Sequence, residues 1–448
     1  LRGMSVDRSF GVGRVTWFYI PLLLQAFSQS ITYPLVGSIV THGPLGVRAL
    51  TGHAQGLAVM FMIGLLGGGL VMTGMVYARD WSGYRAFRRL NLYSMIVLLA
   101  LQCVPAYGPI ADWLFGGVLN LPPDLAEIAR WTLIGGLVMN GGFFLRNVPL
   151  VVLFNNLESF WANVATVIRI LVTLGCSFVF PKCGLVGPWW GLTALSLGVV
   201  IEWLLTWYYA RPYVRALAEE KGALPWRRER ADADILAARR RWLLVMGQLR
   251  FMIPLSFGSF VLAISPLAMA AFVGRAAFEP EVMLAIHYVT IGVANPVGFG
   301  ALRMQAVAIA FPPEYEGDRR MLAYAIGAGT VLGALLLVFS LPFIADWYFG
   351  VCQNVRPEHL GYARSAIACY CGWAVLQAVR ARVEGLAAIR KRPSAVMVGQ
   401  VTYLLALVAT LWTMLQFDVL GWKMAVFGIY TATAATIVAL YAALALRK

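Results

Sequence analysis

Three arginines, Arg146, Arg303 and Arg380, stand inside long stretches of otherwise apolar sequence. If these stretches cross a membrane, each guanidinium group costs on the order of 3 kcal/mol or more unless it faces water or a partner. A guanidinium group is permanently charged and binds carboxylate or phosphate oxygens through paired hydrogen bonds. These residues therefore predict the non-covalent binding of a small anion.

An amide side chain precedes each of these arginines along the chain. The three amides are Asn140, Asn295 and Gln377. Because amides both donate and accept hydrogen bonds, we expect them to orient the bound anion. In an alternative interpretation, the arginines extend to the lipid headgroups at the cytoplasmic edge of the membrane. The sequence leaves both interpretations open.

The composition is that of a membrane protein. Of the 448 residues, 60% are hydrophobic and 13% are charged, which leaves too little polar surface for a soluble protein of this length. The apolar runs have the length of helices and lack the roughly ten-residue alternation of an outer-membrane barrel. The sequence therefore predicts an all-α polytopic membrane protein.

The second half of the chain repeats the first at an offset of about 233 residues. Residues 20–22 and 253–255 both read Ile-Pro-Leu, and residues 110–113 and 344–347 both read Ile-Ala-Asp-Trp. Arg146 and Arg380 stand at nearly the same offset. Because both copies are membrane-spanning sequence, the repeat predicts two bundles of helices with a shared central cavity, as in transporters that work by alternating access.

We predict twelve membrane-spanning helices. They lie near residues 15–40, 54–78, 91–115, 126–153, 160–181, 185–210, 247–273, 282–310, 321–346, 360–388, 394–416 and 422–446. Six spans per copy is an even number, so both copies enter the membrane from the same side and form a parallel repeat. The expected fold is two parallel six-helix bundles with pseudo-twofold symmetry, residues 1–210 and 242–448, joined by a polar cytoplasmic linker at 211–241.

Basic residues set the predicted orientation. Arginine and lysine cluster after even-numbered spans, in segments 79–89, 211–241, 319–320 and 390–392. By the positive-inside rule, these loops and both termini are cytoplasmic. Topology then explains the net charge of +15, and no nucleic-acid partner is expected. We expect a monomer in a bacterial inner membrane, whose partners are the lipid bilayer and a small anionic substrate.

Helix-breaking residues mark where the spans are expected to flex. The predicted hinge residues are Gly67, Gly68 and Gly69 in the second span, Pro296 and Gly298 in the eighth, and Pro21 and Pro254 at matching positions in the first and seventh. Paired interruptions in corresponding helices point to a binding site near the middle of the membrane. In an alternative interpretation, the prolines only kink the helices and so shape the bundle.

Carboxylates are scarce in the predicted spans. Glu202 in the sixth span and Glu384 in the tenth are the main ones, and Glu202 is the candidate for coupling to a proton or sodium ion. The surplus of arginines favours anionic cargo, because an exporter of cations needs carboxylates facing its cavity. No P-loop, nucleophile elbow or metal-site spacing is present. We therefore predict no enzymatic activity, no catalytic residues, no cofactor and no metal site.

The twelve spans, the parallel repeat and the linker resemble the multidrug/oligosaccharidyl-lipid/polysaccharide (MOP) superfamily, which includes the MATE exporters. Short motifs are most similar to the progressive ankylosis family. They are Ile20-Pro21-Leu22, Asn295-Pro296-Val297-Gly298 with Arg303 and Phe311-Pro312, and Val379-Arg380-Ala381 with Gly385 and Arg390-Lys391. This resemblance implies export of small anions such as pyrophosphate, citrate or nucleotides. The family's polar residues of the first span have no clear match, since Gln25, Ser28 and Gln29 stand there.

The sequence thus predicts an alternating-access secondary transporter or exporter of small organic or phosphorylated anions, in which the two bundles rock about the linker. One alternative is a flippase for a lipid-linked anionic sugar, since basic residues suit that cargo equally well. Another is a cation-coupled multidrug exporter, for which Glu202 would be the coupling group. A static scaffold is disfavoured, because it gains nothing from paired helix breaks.

Overall fold

The computed structural model describes residues 8–45, 47–119, 121–219, 231–276, 278–315, 317–353 and 355–445. This part of the chain forms helices joined by turns and short loops, and it contains no strand. The helices are α1 Val12–Thr41, α2 Val47–Leu65, α3 Leu70–Tyr77, α4 Trp81–Cys103, α5 Gly108–Ala111, α6 Pro123–Asn155, α7 Ser159–Lys182, α8 Pro188–Glu219, α9 Ala231–Ala263, α10 Ser265–Val273, α11 Pro280–Leu302, α12 Met304–Ala310, α13 Arg320–Val338, α14 Pro342–Ala345, α15 Leu360–Cys369, α16 Cys371–Ile389, α17 Pro393–Gln416 and α18 Gly421–Ala445.

All twelve predicted spans fall on helices. Nine helical segments of the described residues are long and apolar enough to cross a membrane, or ten if the pair Trp81–Cys103 and Gly108–Val118, bent by 75°, forms one span. The pair α15–α16 is not among them, because α16 carries two arginines and a glutamate. The helix α1, which carries the first predicted span, is not among them either, so the described residues support nine or ten of the twelve predicted spans.

The chain forms two compact units, and their boundaries lie inside helices. The first unit contains residues 28–256, and the second contains residues 8–27 and 257–448. The start of α1 belongs to the second unit because the ring of Phe18 packs 5.8 Å from that of Phe311. The predicted bundles, 1–210 and 242–448, thus have different limits from these two compact units. Part of the predicted linker, residues 220–230, lies outside the described residues.

The internal repeat is visible in the backbone of each unit. Each unit has a seven-residue π-helical turn, Asp112–Val118 in the first and Asp346–Cys352 in the second. Leu157 and Lys391 both adopt a left-handed conformation, with φ of 61° and 55°. The members of each pair are 234 residues apart. The duplication therefore extends from sequence to irregular backbone geometry, which chance similarity of apolar helices would not produce.

Only some of the predicted helix breaks are present in the structure. The second span is interrupted between Leu65 and Leu70, at the predicted run Gly67–Gly69. The eighth span, in contrast, remains helical through Pro296 and breaks at Arg303. Proline removes only one helical hydrogen bond, so a helix can continue past it with a kink.

The other predicted hinge residues also lie within continuous helices. Pro21 is inside α1 and Pro254 is inside α9. A Cβ atom at Gly298 would lie 2.4 Å from the Trp373 ring, so this glycine allows α11 to pack closely against α16. The expectation that Pro296 and Gly298 interrupt their helix is wrong. That these residues flex stays a prediction.

Candidate functional site

In the first unit, three helices bury a cluster of charged side chains. Arg146 Nη1 from α6 lies 2.8 Å from Glu202 Oε2 of α8, and Arg169 Nη1 from α7 lies 3.3 Å from the same oxygen. The Thr166 hydroxyl donates a hydrogen bond of 2.5 Å to the other carboxylate oxygen. Glu202 is fully buried. The carboxylate of α8 is therefore bound by groups from both neighbouring helices.

Two glycines allow these helices to approach closely enough for the cluster to form. A Cβ atom at Gly142 would lie 2.8 Å from Val199 Cγ1, and Gly142 is one helical turn before Arg146. A Cβ atom at Gly198 would lie 2.8 Å from Thr173 Oγ1, and Gly198 is one turn before Glu202. The small residues therefore sit next to the charged ones, where helix separation decides whether the ion pairs can form.

The second unit contains a related but differently connected cluster. Arg380 Nε of α16 lies 2.9 Å from Glu384 Oε1, one turn later on the same helix. Gln305 of α12 donates a hydrogen bond of 3.2 Å to Glu384 Oε2. The Arg380 guanidinium carbon lies 5.1 Å from the centre of the Tyr403 ring of α17, a cation–π distance.

A comparison of equivalent positions shows how the two clusters differ. At the 234-residue offset, Arg146 corresponds to Arg380, but Arg169 corresponds to Tyr403 and Glu202 to Thr436. Each unit thus retains the arginine and obtains its carboxylate from a different element. In the first unit the ion pairs themselves join α6, α7 and α8, whereas in the second unit the ion pair lies within α16 and a neutral amide, Gln305, joins it to α12.

Each unit buries more positive than negative charge in its spans. Among the described residues, the buried charged side chains are Arg146, Arg169 and Glu202 in the first unit and Arg380, Arg382 and Glu384 in the spans of the second. Arg382 Nη1 donates to the Tyr441 hydroxyl at 3.3 Å. Within the described part, the Nε groups of Arg146 and Arg382 have no hydrogen-bond partner. This surplus charge is chemically suited to a further anion.

The remaining predicted site residues have varied surroundings. Asn140 is buried and donates to Gln102 Oε1 at 2.6 Å, which joins α6 to α4. Gln377 is buried in α16, and its Oε1 has no partner within the described residues. Asn295 is half-buried in α11, and Arg303 is half-buried at the break between α11 and α12.

Sequence reasoning missed four members of these clusters, Arg169, Thr166, Gln305 and Tyr403. Arg169 stands inside an apolar span, so the criterion that selected Arg146 could have found it. Gln305 lies two residues beyond Arg303 and carried no signal of its own, because its contact with Glu384 comes from helix packing. In the structure, Glu202, predicted as the coupling group, is the centre of the first cluster.

Comparisons with known proteins identify the fold. A MATE structure in the bent conformation has a TM-score of 0.75 at 17% identity and covers 99% of this chain and 97% of that one. A MOP superfamily transporter from Pyrococcus furiosus, whose binding pocket of reverse polarity suggests a different function, has a TM-score of 0.72 at 16% identity, with the same coverage. An outward-facing multidrug resistance MATE transporter has a TM-score of 0.71 at 16% identity and covers 100% and 99%.

These likenesses extend over nearly the whole of each chain. No family model matches this sequence, and no curated protein matches it. At this level of identity, the structural likenesses establish the fold. The prediction of an all-α polytopic membrane protein with a MATE-like fold is confirmed.

Proposed function

We propose that this protein is a secondary transporter that exports small organic or phosphorylated anions by alternating access. The MATE-like fold supports the transport class, because solved proteins similar to this chain over their full length include transporters. The proposed substrate class rests on one observation, the two arginines that surround a single buried carboxylate in the first unit. Citrate, pyrophosphate and nucleotides carry the groups that such arginines bind.

In the proposed mechanism, the substrate anion competes with Glu202 for Arg146. The Nε of Arg146 has no hydrogen-bond partner in the described part, so the guanidinium can accept a second anionic group on that edge. If Arg146 turns to the substrate, Glu202 keeps Arg169 and Thr166. Glu202 is also our candidate for coupling transport to a proton or sodium ion. Its carboxylate can bind such an ion only after one of the two arginines has moved away from it.

The test combines anion binding with transport. Thermal stabilisation of the purified protein by citrate, pyrophosphate and ATP would be measured beside glycerol as a neutral compound. Arg146→Gln leaves Glu202 paired with Arg169, so this variant should fold. Loss of one charge-assisted contact of about 1.5–3 kcal/mol should weaken anion binding about 10- to 100-fold. Arg89→Gln, at an exposed position of α4, is the matched control.

Proteoliposomes loaded with radiolabelled anion test the transport step. We expect counterflow by the wild type and the Arg89→Gln control and its loss in Arg146→Gln. If no soluble anion stabilises or is transported by the wild type, the proposed substrate class is wrong. Stabilisation by a lipid diphosphate sugar would then indicate a flippase, and efflux of ethidium would indicate a multidrug exporter.

A further inference from the structure

A second feature of the first unit is a cavity of about 730 Å³ between α4, α6 and α8. Its lining includes Arg88 and Leu92 of α4, Leu145 and Val148 of α6, and Trp207 and Arg211 of α8. The lining comes from the beginning of α4 and the ends of α6 and α8. By the predicted orientation, these helix ends lie at the cytoplasmic face of the membrane.

The charge of this cavity is of one sign. Arg88, Arg211 and Arg215 line it, and the described residues place no carboxylate in its lining. Within the described residues, none of these three arginines forms an ion pair. The Arg211 guanidinium carbon lies 3.6 Å from the centre of the Trp207 ring, which holds the charge at the cavity wall. The cavity is therefore complementary to an anion.

The cavity is amphipathic along its length. On α8, its lining runs from Trp203 to Arg215, a distance of about 18 Å at 1.5 Å per residue. The apolar residues Leu92, Leu145 and Val148 lie towards the membrane interior, and Leu92 is 44% exposed. A phosphate at the basic end and a hydrocarbon chain at the apolar end would match this arrangement.

The internal repeat argues that the fold does not require Arg88 or Arg211. At the 234-residue offset, Arg88 corresponds to Leu322 and Arg211 to Ala445. The second unit therefore has apolar residues at these two positions of the corresponding helices, α13 and α18. Charges that are present in one copy and replaced by apolar residues in the other are best explained by a role specific to the first unit.

We propose that this cavity binds the phosphate headgroup of an anionic glycerophospholipid from the cytoplasmic leaflet. Arg88, Arg211 and Arg215 contact the phosphate, and one acyl chain lies along Leu92 and Val148. Basic pockets between membrane-spanning helices on the cytoplasmic side have this chemistry. The site is separate from the Arg146 cluster and does not depend on the transported substrate.

Native mass spectrometry of delipidated protein tests the proposal. Phosphatidylglycerol, phosphatidylcholine and inorganic phosphate would be titrated separately. We expect one phosphatidylglycerol to bind with at least tenfold preference over phosphatidylcholine, and no binding of inorganic phosphate at the same concentration. Each arginine near the surface contributes about 1 kcal/mol, so Arg88→Gln/Arg211→Gln should bind phosphatidylglycerol about thirtyfold more weakly.

The matched control is Arg85→Gln/Arg89→Gln, which removes the same charge from exposed positions of α4 that do not line the cavity. We expect this control to bind phosphatidylglycerol as the wild type does. Equal loss in both double variants would show a general surface effect and overturn the site. Binding of inorganic phosphate in place of lipid would assign the cavity to a soluble anion. If the double variant does not fold, a wild type without preference for phosphatidylglycerol still overturns the proposal.

Discussion

At the residue scale, Glu202 is the side chain on which the first cluster depends. Glu202→Gln leaves Arg146 and Arg169 buried without a counter-charge, and removal of one partner from a buried ionic group costs about 3–5 kcal/mol. We expect a clear fall in Tm of the purified protein. Adding Arg146→Gln to Glu202→Gln should recover part of this loss, because one of the two uncompensated charges is then gone.

Glu219→Gln is the control for this prediction, because Glu219 is exposed on the same helix. Its Tm should equal that of the wild type. If Glu202→Gln were as stable as this control, the two arginines would not need the carboxylate, and the charge argument for an anion site would fail.

Asp318 provides a prediction of pH dependence outside the spans. Its carboxylate accepts hydrogen bonds from the Arg320 backbone N–H and guanidinium at 2.9–3.0 Å, and the side chain is 4% exposed. The contacts with Arg320 lower the pKa of Asp318 from 3.8 to about 2. Because the pKa is lowered in the folded state, the ionised form stabilises the fold above pH 3.8, and this stabilisation is lost as the pH falls through about 2.

Asp318→Asn should therefore have a lower Tm than the wild type at pH 7. We expect the difference in Tm to stay constant down to about pH 4 and to shrink at pH 3. Thermal unfolding at pH 7, 5, 4 and 3 in one detergent measures it. A difference that does not change with pH would mean that the side chain acts through its shape and not through its charge.

The sequence singled out two of the buried arginines but not the side chains that contact them. Arg146 and Arg380 were found because a charge in an apolar span is visible by itself. The partner of Arg146 is 56 positions away on α8, so only helix packing reveals it. The contact between Gln305 and Glu384 is equally long-range. The hydrogen bond of Asn140 to Gln102 between α6 and α4 was likewise not visible in the sequence, and the role of Asn140 in orienting substrate stays a prediction.

At the element scale, the surroundings of two adjacent glycines of α6 predict opposite effects on stability when each is replaced by alanine. A Cβ atom at Gly142 would lie 2.8 Å from Val199 of α8, whereas at Gly141 the nearest atom, from Leu99, is 3.7 Å away. Gly142→Ala should therefore destabilise by about 1–3 kcal/mol through overpacking. Gly141→Ala should stabilise by up to about 1 kcal/mol, because alanine favours the helix. Tm shifts of the same sign would contradict this packing.

The ends of α6 and α16 share a capping motif that the sequence does not reveal. The residue after each C-cap, Leu157 or Lys391, is left-handed, and the next amide donates to a carbonyl five residues back. Glycine usually occupies this position, and a non-glycine residue costs about 1–2 kcal/mol there. Lys391→Gly should thus raise the Tm. Lys391→Ala removes the same side chain without relieving the backbone, and should not.

Helix existence was predictable from hydropathy, but helix continuity was not. The glycine run 67–69 interrupts its span as expected, because three consecutive glycines lack side chains to support a helix. Pro296 does not interrupt α11, and the break falls further along the chain, at Arg303. Packing of Gly298 against Trp373 holds that part of α11 in place, and such packing is invisible in one sequence.

At the scale of the whole molecule, the repeat was the most reliable signal in the sequence. It predicted a duplicated helical bundle, and each unit indeed has a matching π-helical turn and left-handed cap. The repeat could not show that the boundaries of the compact units lie inside α1 and α9. Those boundaries depend on contacts that form only in the folded chain, such as the hydrogen bond from the Tyr19 hydroxyl to the Gly300 carbonyl.

The predicted topology can be tested with the protein's own cysteines. Cys183 and Cys352 are free and exposed, and they follow the fifth and ninth predicted spans. If both termini are cytoplasmic, each odd-numbered span leads outward, so both thiols lie outside the cell membrane. Arg390, also exposed, follows the tenth span and should lie inside.

Single-cysteine variants that retain Cys183 or Cys352, and a third that carries only Arg390→Cys, are the reagents for this test. A membrane-impermeant maleimide should label the first two in intact cells and the third only after permeabilisation. Labelling of Arg390→Cys alone in intact cells would invert the topology. The basic cavity of the first unit would then face the outer leaflet, so this measurement also decides which lipids can reach Arg88 and Arg211.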